Sequence, residues 1–230
     1  CELCPKKCRV ADLERGTCGV RENRGGKYYT LVHSRPCPIH LDPSEKKPFN
    51  HVLPGTPSLS LATPGCNIEC KFCQNWDISK AREFDVLMDA ATPEAIARTA
   101  QEMGCKSVAF TYNDPVVFLE YAIDTAVECH KRGLKTVAVT AGYISPEPRR
   151  EFFAHMDAAN VDLKGFSEDF YQSLCTGHLA DVLDTLVYLN HETDVWVETT
   201  TLLIPGQNDS AQEIDAMTRW VVKELGPDVP

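Results

Sequence analysis

The chain has 230 residues, 43% of them hydrophobic and 24% charged, the balance of an ordinary globular protein long enough for one α/β domain with an appendage. Its apolar runs are far too short to span a bilayer, and no basic stretch leads into an apolar one, so the expected location is the cytoplasm. A formal net charge of −10 opposes a broad basic footprint for nucleic acid or anionic membrane.

Residues 1–57 read as an irregular, cysteine-rich segment. Gly16, Gly19, Gly25 and Gly26 punctuate it, one strand is expected over 27–33, and a Pro-rich run over 36–57 carries Glu45, Lys46 and Lys47. With no helix of useful length and little apolar periodicity, such a segment needs help to fold, which a metal can supply. Cys1, Cys4, Cys8 and Cys18 provide four thiols, enough for a tetrahedral zinc site or an iron–sulfur cluster, with Cys37 as a substitute for one of them. In a cytosolic chain these eleven cysteines are expected as reduced thiols rather than disulfides.

From residue 58 to 230 the pattern changes to strands alternating with helices. Strands are expected over 58–63, 107–112, 134–140, 159–163 and 195–204, short and β-branched or apolar as buried parallel strands are. A helix should start at Thr92, an N-cap followed by Pro93 at the first helical position and by Glu94. Another covers 116–132 and stops at Gly133, and three more cover 146–155, 179–191 and 210–224. Repeated βα units imply a parallel sheet with right-handed crossovers, open or barrel-like, whose chemistry gathers at the carboxyl ends of the strands.

Five polar or Gly-rich strand ends would then share one rim: the triplet Cys66, Cys70 and Cys73, the stretch 111–115, the stretch 140–143, Asp162 with Lys164, and the stretch 204–209. The chain ends at Pro230, just after a helix and where a further strand is expected, and it begins at Cys1, as a piece truncated after its fifth strand would. Cys105, Cys129 and Cys175 sit among apolar or helical neighbours and read as small buried hydrophobes. The seven histidines show no paired metal-binding spacing, although His178 lies near the rim.

The triplet is the sharpest feature. Residues 66–73 read CNIECKFC, three thiols in one loop with no fourth Cys or His close downstream. Thiolates select zinc, copper(I) or iron–sulfur clusters, and closed zinc sites draw four ligands, often as two separated pairs. Three thiolates hold three corners of a four-iron cluster and leave one iron open to a substrate or cofactor. Electron carriers saturate their clusters with four protein thiols, which argues against a simple iron–sulfur electron-transfer or scaffold protein, and a zinc-stapled binding module is the remaining alternative.

C-x3-C-x2-C after a first strand, with Phe72 before the third Cys, resembles the signature of the radical S-adenosylmethionine (SAM) superfamily. The resemblance implies a partial parallel (β/α)6 barrel. It also implies a 4Fe–4S cluster on Cys66, Cys70 and Cys73 whose open iron binds SAM, and reductive cleavage of SAM to a 5′-deoxyadenosyl radical that abstracts hydrogen. The N-terminal cysteines, Glu45-Lys-Lys-Pro48, CNIECKFCQNW at 66–76 and Thr111 to Pro115 narrow it: together they resemble the radical SAM enzyme of the AmmeMemoRadiSam system, a family often described as similar to pyruvate formate-lyase activating enzyme.

By that resemblance Phe72 places its backbone beside the adenine of SAM. Tyr112, Asn113 and Asp114 stand where the superfamily often has Gly-Gly-Glu and would contact the SAM amino group, with Asp114 shorter in reach than Glu. Thr140 would face the ribose or carboxylate, although Ala141 stands where the activases often have Asn. Asp162 and Lys164 match the Asp-Leu-Lys of the activases and should point into the rim, and Gly206, with Ile204 and Pro205, would flank the adenine. The implied partners are an electron donor of the flavodoxin or ferredoxin type and two companion proteins of the system. The alternative within enzymes is activation of a glycyl radical protein.

Overall fold

The structure, a computed structural model, describes residues 1–81 and 90–230. Strands β1 (Arg21–Arg24) and β2 (Lys27–Thr30) form an antiparallel hairpin. Its two-residue turn is Gly25-Gly26, both with positive φ, the conformation that matches the twist of paired strands and that glycine adopts most cheaply. The strand expected over 27–33 is therefore shorter and has a partner that the sequence reading lacked.

Next come β3 (Ile39–Pro43), a 3-10 turn over Ser44–Lys46, and β4 (Pro57–Leu61). The cysteine loop and a short α1 (Trp76–Ser79) follow, then α2 (Pro93–Glu102) and β5 (Ser107–Phe110). A 3-10 turn over Pro115–Phe118 leads into α3 (Leu119–His130), followed by β6 (Lys135–Thr140), α4 (Pro146–Phe153) and β7 (Ala158–Asp162). The chain continues through α5 (Glu168–Phe170), a π turn over Tyr171–Cys175, α6 (Leu179–Glu192), β8 (Trp196–Thr200) and α7 (Ala211–Glu224). Thr92 caps α2 as expected, its side chain accepting from Ala95 N at 3.2 Å.

The main sheet has the order β3-β4-β5-β6-β7-β8. The pairs from β4 to β8 are parallel, so the five expected strands assemble as a partial (β/α)6 barrel. The sixth strand, β3, joins antiparallel to β4 and comes from the segment 1–57. Four strands end earlier than expected, β4 at Leu61 and β7 at Asp162 by one or two residues, and β5 and β8 for visible reasons. β5 stops at Phe110, before Tyr112 turns out at φ 72. Beyond β8 the backbone leaves the ladder because Asn208 takes it over, accepting from Ile204 N at 2.7 Å and donating to Leu202 O at 2.9 Å.

The Pro-rich run is not a loose appendage. Phe49 is 1% exposed and packs with Ala109, Val137 and Ala158, apart from the larger core that faces the helices. Burying that ring contributes about 1.5–3 kcal/mol. Its neighbours are tied to the sheet as well: Asn160 Nδ2 donates to Pro48 O at 3.3 Å, and Asn50 N and His51 N donate to the buried Glu198 carboxylate at 3.0 and 3.1 Å. The help that this segment was expected to need comes, for residues 47–51, from apolar burial and backbone hydrogen bonds. Among the described residues no helix is long and apolar enough to cross a membrane.

Candidate functional site

The loop after β4 carries all three cysteines, and its backbone is held from four directions. Asn113, at the end of β5, donates from Nδ2 to Gly65 O at 2.6 Å and accepts from Thr63 N at 3.4 Å. Asn67 donates from Nδ2 to Tyr143 O at 2.7 Å. Glu69 N and Lys71 N donate to the carbonyls of Cys175 and Leu174 at 2.9 and 2.8 Å. Asn75 Nδ2 reaches Tyr112 O at 2.9 Å. Gly65, at φ 87, lies against the N-terminal segment, where any Cβ would overlap the Cys18 carbonyl oxygen.

Cys66, Cys70 and Cys73 line one cavity of about 80 Å³ with Asp114, Thr140 and Lys164. A larger hollow of about 420 Å³ shares Cys70, Cys73, Tyr112, Asp162 and Lys164 with it and adds Phe72 and Lys46. The structure therefore brings the expected residues Phe72, Tyr112, Asn113, Asp114, Thr140, Asp162 and Lys164 to one rim with the triplet. Gly206 is not among them: it is exposed, lines neither space, and its N–H is turned to Asp209 Oδ1 at 2.8 Å. His178 is also exposed, paired with Glu168 at 2.5 Å.

Electrostatics give these side chains distinct parts. Asp114 is 4% exposed, and burial pushes its carboxyl above the ordinary range against the pull of its hydrogen bonds. It accepts from Val116 N at 3.0 Å, Ala141 N at 2.9 Å and the Thr140 hydroxyl at 3.0 Å. With about four acceptor sites on a carboxylate, roughly one is left over. Asn113 faces the cysteine loop with its amide committed, so it acts as a clamp. Burial pulls the Lys164 ammonium down, yet the Asp162 carboxylate 2.7 Å away and the nearby Cys70 outweigh it and raise its pKa. Burial, helped by Asp114, pushes the Cys66 thiol up to about 12. A free thiolate is unfavourable there without a cation to stabilise it.

One functional-looking residue, Asp42, was absent from the sequence reading. Tyr112 donates its hydroxyl to Asp42 Oδ2 at 2.6 Å, Lys47 binds the same oxygen, and the Lys47 Nζ stands 4.7 Å from the Tyr112 ring centre. Lys46 completes the group at 2.7 Å from Asp42 Oδ1. Burial raises the Tyr112 phenol further from ionisation and makes Lys47 a readier proton donor than usual. The consecutive Lys46-Lys47 was visible in the sequence, but nothing there tied it to Asp42.

Cys1, Cys4, Cys8 and Cys18 are half-buried and line one small enclosed pocket with Lys6 and Arg21. Cys37 is elsewhere, its N–H bonded to Ala62 O beside β4, so it does not substitute for one of the four. Among the described residues no three His, Cys, Asp or Glu side chains are gathered around a single-ion position. The three thiols at the rim line one cavity together, a donor set whose chemistry suits an iron–sulfur cluster. Cys105, Cys129 and Cys175 are buried, as expected.

A sequence profile described as the radical SAM superfamily matches residues 60–220. Over all 230 residues the chain is 37% identical to an uncharacterized protein of Methanocaldococcus jannaschii and spans 68% of that protein. Streptococcus suis SuiB bound to precursor peptide SuiA is similar in fold, with a TM-score of 0.56 at 16% identity over 73% of this chain and 37% of SuiB. SuiB bound to S-adenosylmethionine gives 0.52 at 15% identity over 72% of this chain and 35% of SuiB.

Proposed function

The chain belongs to the radical SAM superfamily, and from that premise we propose that Cys66, Cys70 and Cys73 hold its 4Fe–4S cluster, with SAM in the adjoining rim cavity. Members of the superfamily are enzymes. When bound, the cluster and SAM supply a one-electron cleavage that yields a 5′-deoxyadenosyl radical for hydrogen abstraction from a substrate. The observation that carries the reading is the convergence of three thiols, one carboxylate and one ammonium on a single cavity at the carboxyl ends of the parallel strands.

Each residue then has a physical task. The thiols bind irons, and the hydrogen bonds from Asn113 and Asn67 keep their loop in one shape. Asp114, held by three donors, offers its remaining acceptor site and its charge to the amino group of SAM. Asp162 fixes the Lys164 ammonium toward Cys70 and the cavity, where it attracts the carboxylate of SAM. Phe72 and Tyr112 wall the larger hollow, which is the space for adenine and substrate, and Thr140 orients Asp114 rather than reaching SAM itself.

The narrower proposal is the radical SAM enzyme of the AmmeMemoRadiSam system, carried by the N-terminal cysteines and the CQNW stretch at 73–76. It calls for an electron donor of the flavodoxin or ferredoxin type and two companion proteins, in the cytoplasm. Cys1, Cys4, Cys8 and Cys18 are the second metal site in this reading, zinc or iron–sulfur, supported by their meeting in one enclosed pocket.

Anaerobic purification, iron and zinc analysis, and EPR of the reduced protein with and without SAM test both proposals. About four irons per chain with a spectrum that SAM reshapes supports the rim site, and about four more irons or one zinc supports the N-terminal site. An iron-free chain, or a cluster indifferent to SAM, would sink the radical reading.

A further inference from the structure

Asp42, Lys46 and Lys47 have no task in the site as described so far, yet they stand at its edge. Lys46 and Tyr112 line the larger hollow of about 420 Å³. The other charged side chains along it are Asp162 and Lys164, which pair with each other at 2.7 Å. Among the described residues, Lys46 is therefore the charge of this hollow that nothing inside it balances.

Lys46 is presented by a clamped turn. Ser44 N–H donates to Thr56 O at 3.1 Å, and Glu45 accepts from Gly55 N at 2.6 Å, which fixes the 3-10 turn that Lys46 ends. The ammonium reaches Asp42 Oδ1 at 2.7 Å. Asp42 cannot neutralise it alone, because its other oxygen accepts from the Tyr112 hydroxyl at 2.6 Å and from the buried Lys47. An ammonium carries three donors. Among the described residues only Asp42 takes one from Lys46, whose side chain is 62% exposed.

The support behind Lys46 is held in place by Tyr112. This residue adopts φ 72, a conformation that costs a non-glycine residue energy and persists where its surroundings impose it. Asn75 Nδ2 donates to its carbonyl at 2.9 Å, the Lys47 Nζ stands 4.7 Å from its ring centre, and His40 meets the ring edge-on.

We propose that Lys46 determines the specificity of the hollow and that the substrate carries an oxyanion, a carboxylate or a phosphate, which binds the two remaining N–H donors of Lys46 while Asp42 and Tyr112 position them. This rests on the reading that the rim site holds SAM and that the hollow receives the substrate. The chain has a net charge of −10, so its surface at large repels anions, and an uncompensated ammonium in a walled hollow is where one gains most. As a point charge, lysine serves either oxyanion.

The test uses the anaerobically reconstituted protein, its cluster oxidised and SAM added so that nothing turns over. Phenyl phosphate, benzoate and the neutral benzamide are titrated calorimetrically into wild type, Lys46→Met, Lys46→Arg and Lys164→Met, with iron content, SAM titration and thermal melting for each. The wild type should bind phenyl phosphate, benzoate or both, and benzamide far more weakly. Anion affinity should fall by about tenfold to a hundredfold in K46M and return most of the way in K46R. Tighter phenyl phosphate identifies a phosphate as the group bound, and tighter benzoate a carboxylate. A wild type that binds neither anion, benzamide bound as tightly, or an unmoved affinity in K46M would overturn the proposal. So would a loss confined to K164M, or equal loss with early melting in K46M and K46R. A fall in SAM affinity in K46M alongside that of the anion would assign Lys46 to SAM instead. A wild type without iron, or indifferent to SAM, would sink the SAM reading, and Lys46-dependent anion binding in that same protein separates the two failures.

Discussion

Asn113 donates to the carbonyl oxygen of Gly65 across 2.6 Å, and through that bond the end of β5 holds the loop that carries all three cysteines of the triplet. Both groups are buried, so neither has water to fall back on. The strand end expected to touch the cofactor works first as a brace for the loop that carries the cysteines.

Replacing Asn113 by Ala leaves the Gly65 carbonyl and the Thr63 N–H without their partner. The expected cost is about 1–3 kcal/mol of stability. Iron retention should fall with it, since the loop that presents the cysteines loosens. Thermal melting and iron analysis of the same preparation check this, and normal iron content in a destabilised Asn113→Ala protein would show that the brace is irrelevant to the cluster.

Phe49→Ala tests whether the Pro-rich run plugs the barrel. Removing a ring buried among Ala109, Val137 and Ala158 should cost about 3–5 kcal/mol. A denaturant titration reads the loss directly. A change of under 1 kcal/mol, about what a surface position shows, would mean the segment only rests on the sheet.

Asp42 predicts an acid limit. Burial acts to raise its pKa, but hydrogen bonds from Lys46, Lys47 and Tyr112 prevail and hold the carboxyl well below its ordinary value of about 3.9. A depressed carboxylate contributes stability that is fully present above its unfolded pKa and is lost as pH falls through the folded one. Melting temperature should therefore hold from neutral pH to about 4 and drop below it. Asp42→Asn should be less stable at pH 7 and show a shallower acid decline, and an unchanged acid slope would remove Asp42 from the account.

Lys164→Met removes the ammonium that Asp162 holds over the cavity. Losing a charged hydrogen-bond partner is worth about 1.5–3 kcal/mol, so SAM affinity should fall by about tenfold to a hundredfold. Iron content should change little. SAM titrations followed by EPR measure the loss, and wild-type affinity in the variant would place Lys164 outside the SAM contacts.

Much of this was legible in the chain itself. Alternation of short apolar strands with capped helices fixed the βα order, because a parallel strand buried on both faces can tolerate little else. The triplet's spacing announced its chemistry, since three thiols in one loop leave few other uses. Asp162 and Lys164 were legible as rim residues because they stand at the carboxyl end of the fourth expected strand, where such sheets gather their chemistry.

Other features depended on residues far apart in the chain. β3 is only an unremarkable His-Leu-Asp stretch until Pro57–Leu61 pairs with it antiparallel. Phe49 stands in a Pro-rich run with no periodicity to mark it, and only the sheet supplies the apolar surface that buries it. Asp42, Lys47 and Tyr112 meet across 70 residues of sequence. Cys175 looked like any small buried hydrophobe, and the bond that its carbonyl accepts from Glu69 N–H of the cysteine loop spans more than a hundred positions. The sequence by itself determined the order of elements and the gathering of three thiols in one loop, because propensity, capping and residue spacing act between near neighbours. Only the tertiary structure decided which polar groups face which, because hydrogen-bond partners are set by where the folded backbone carries them.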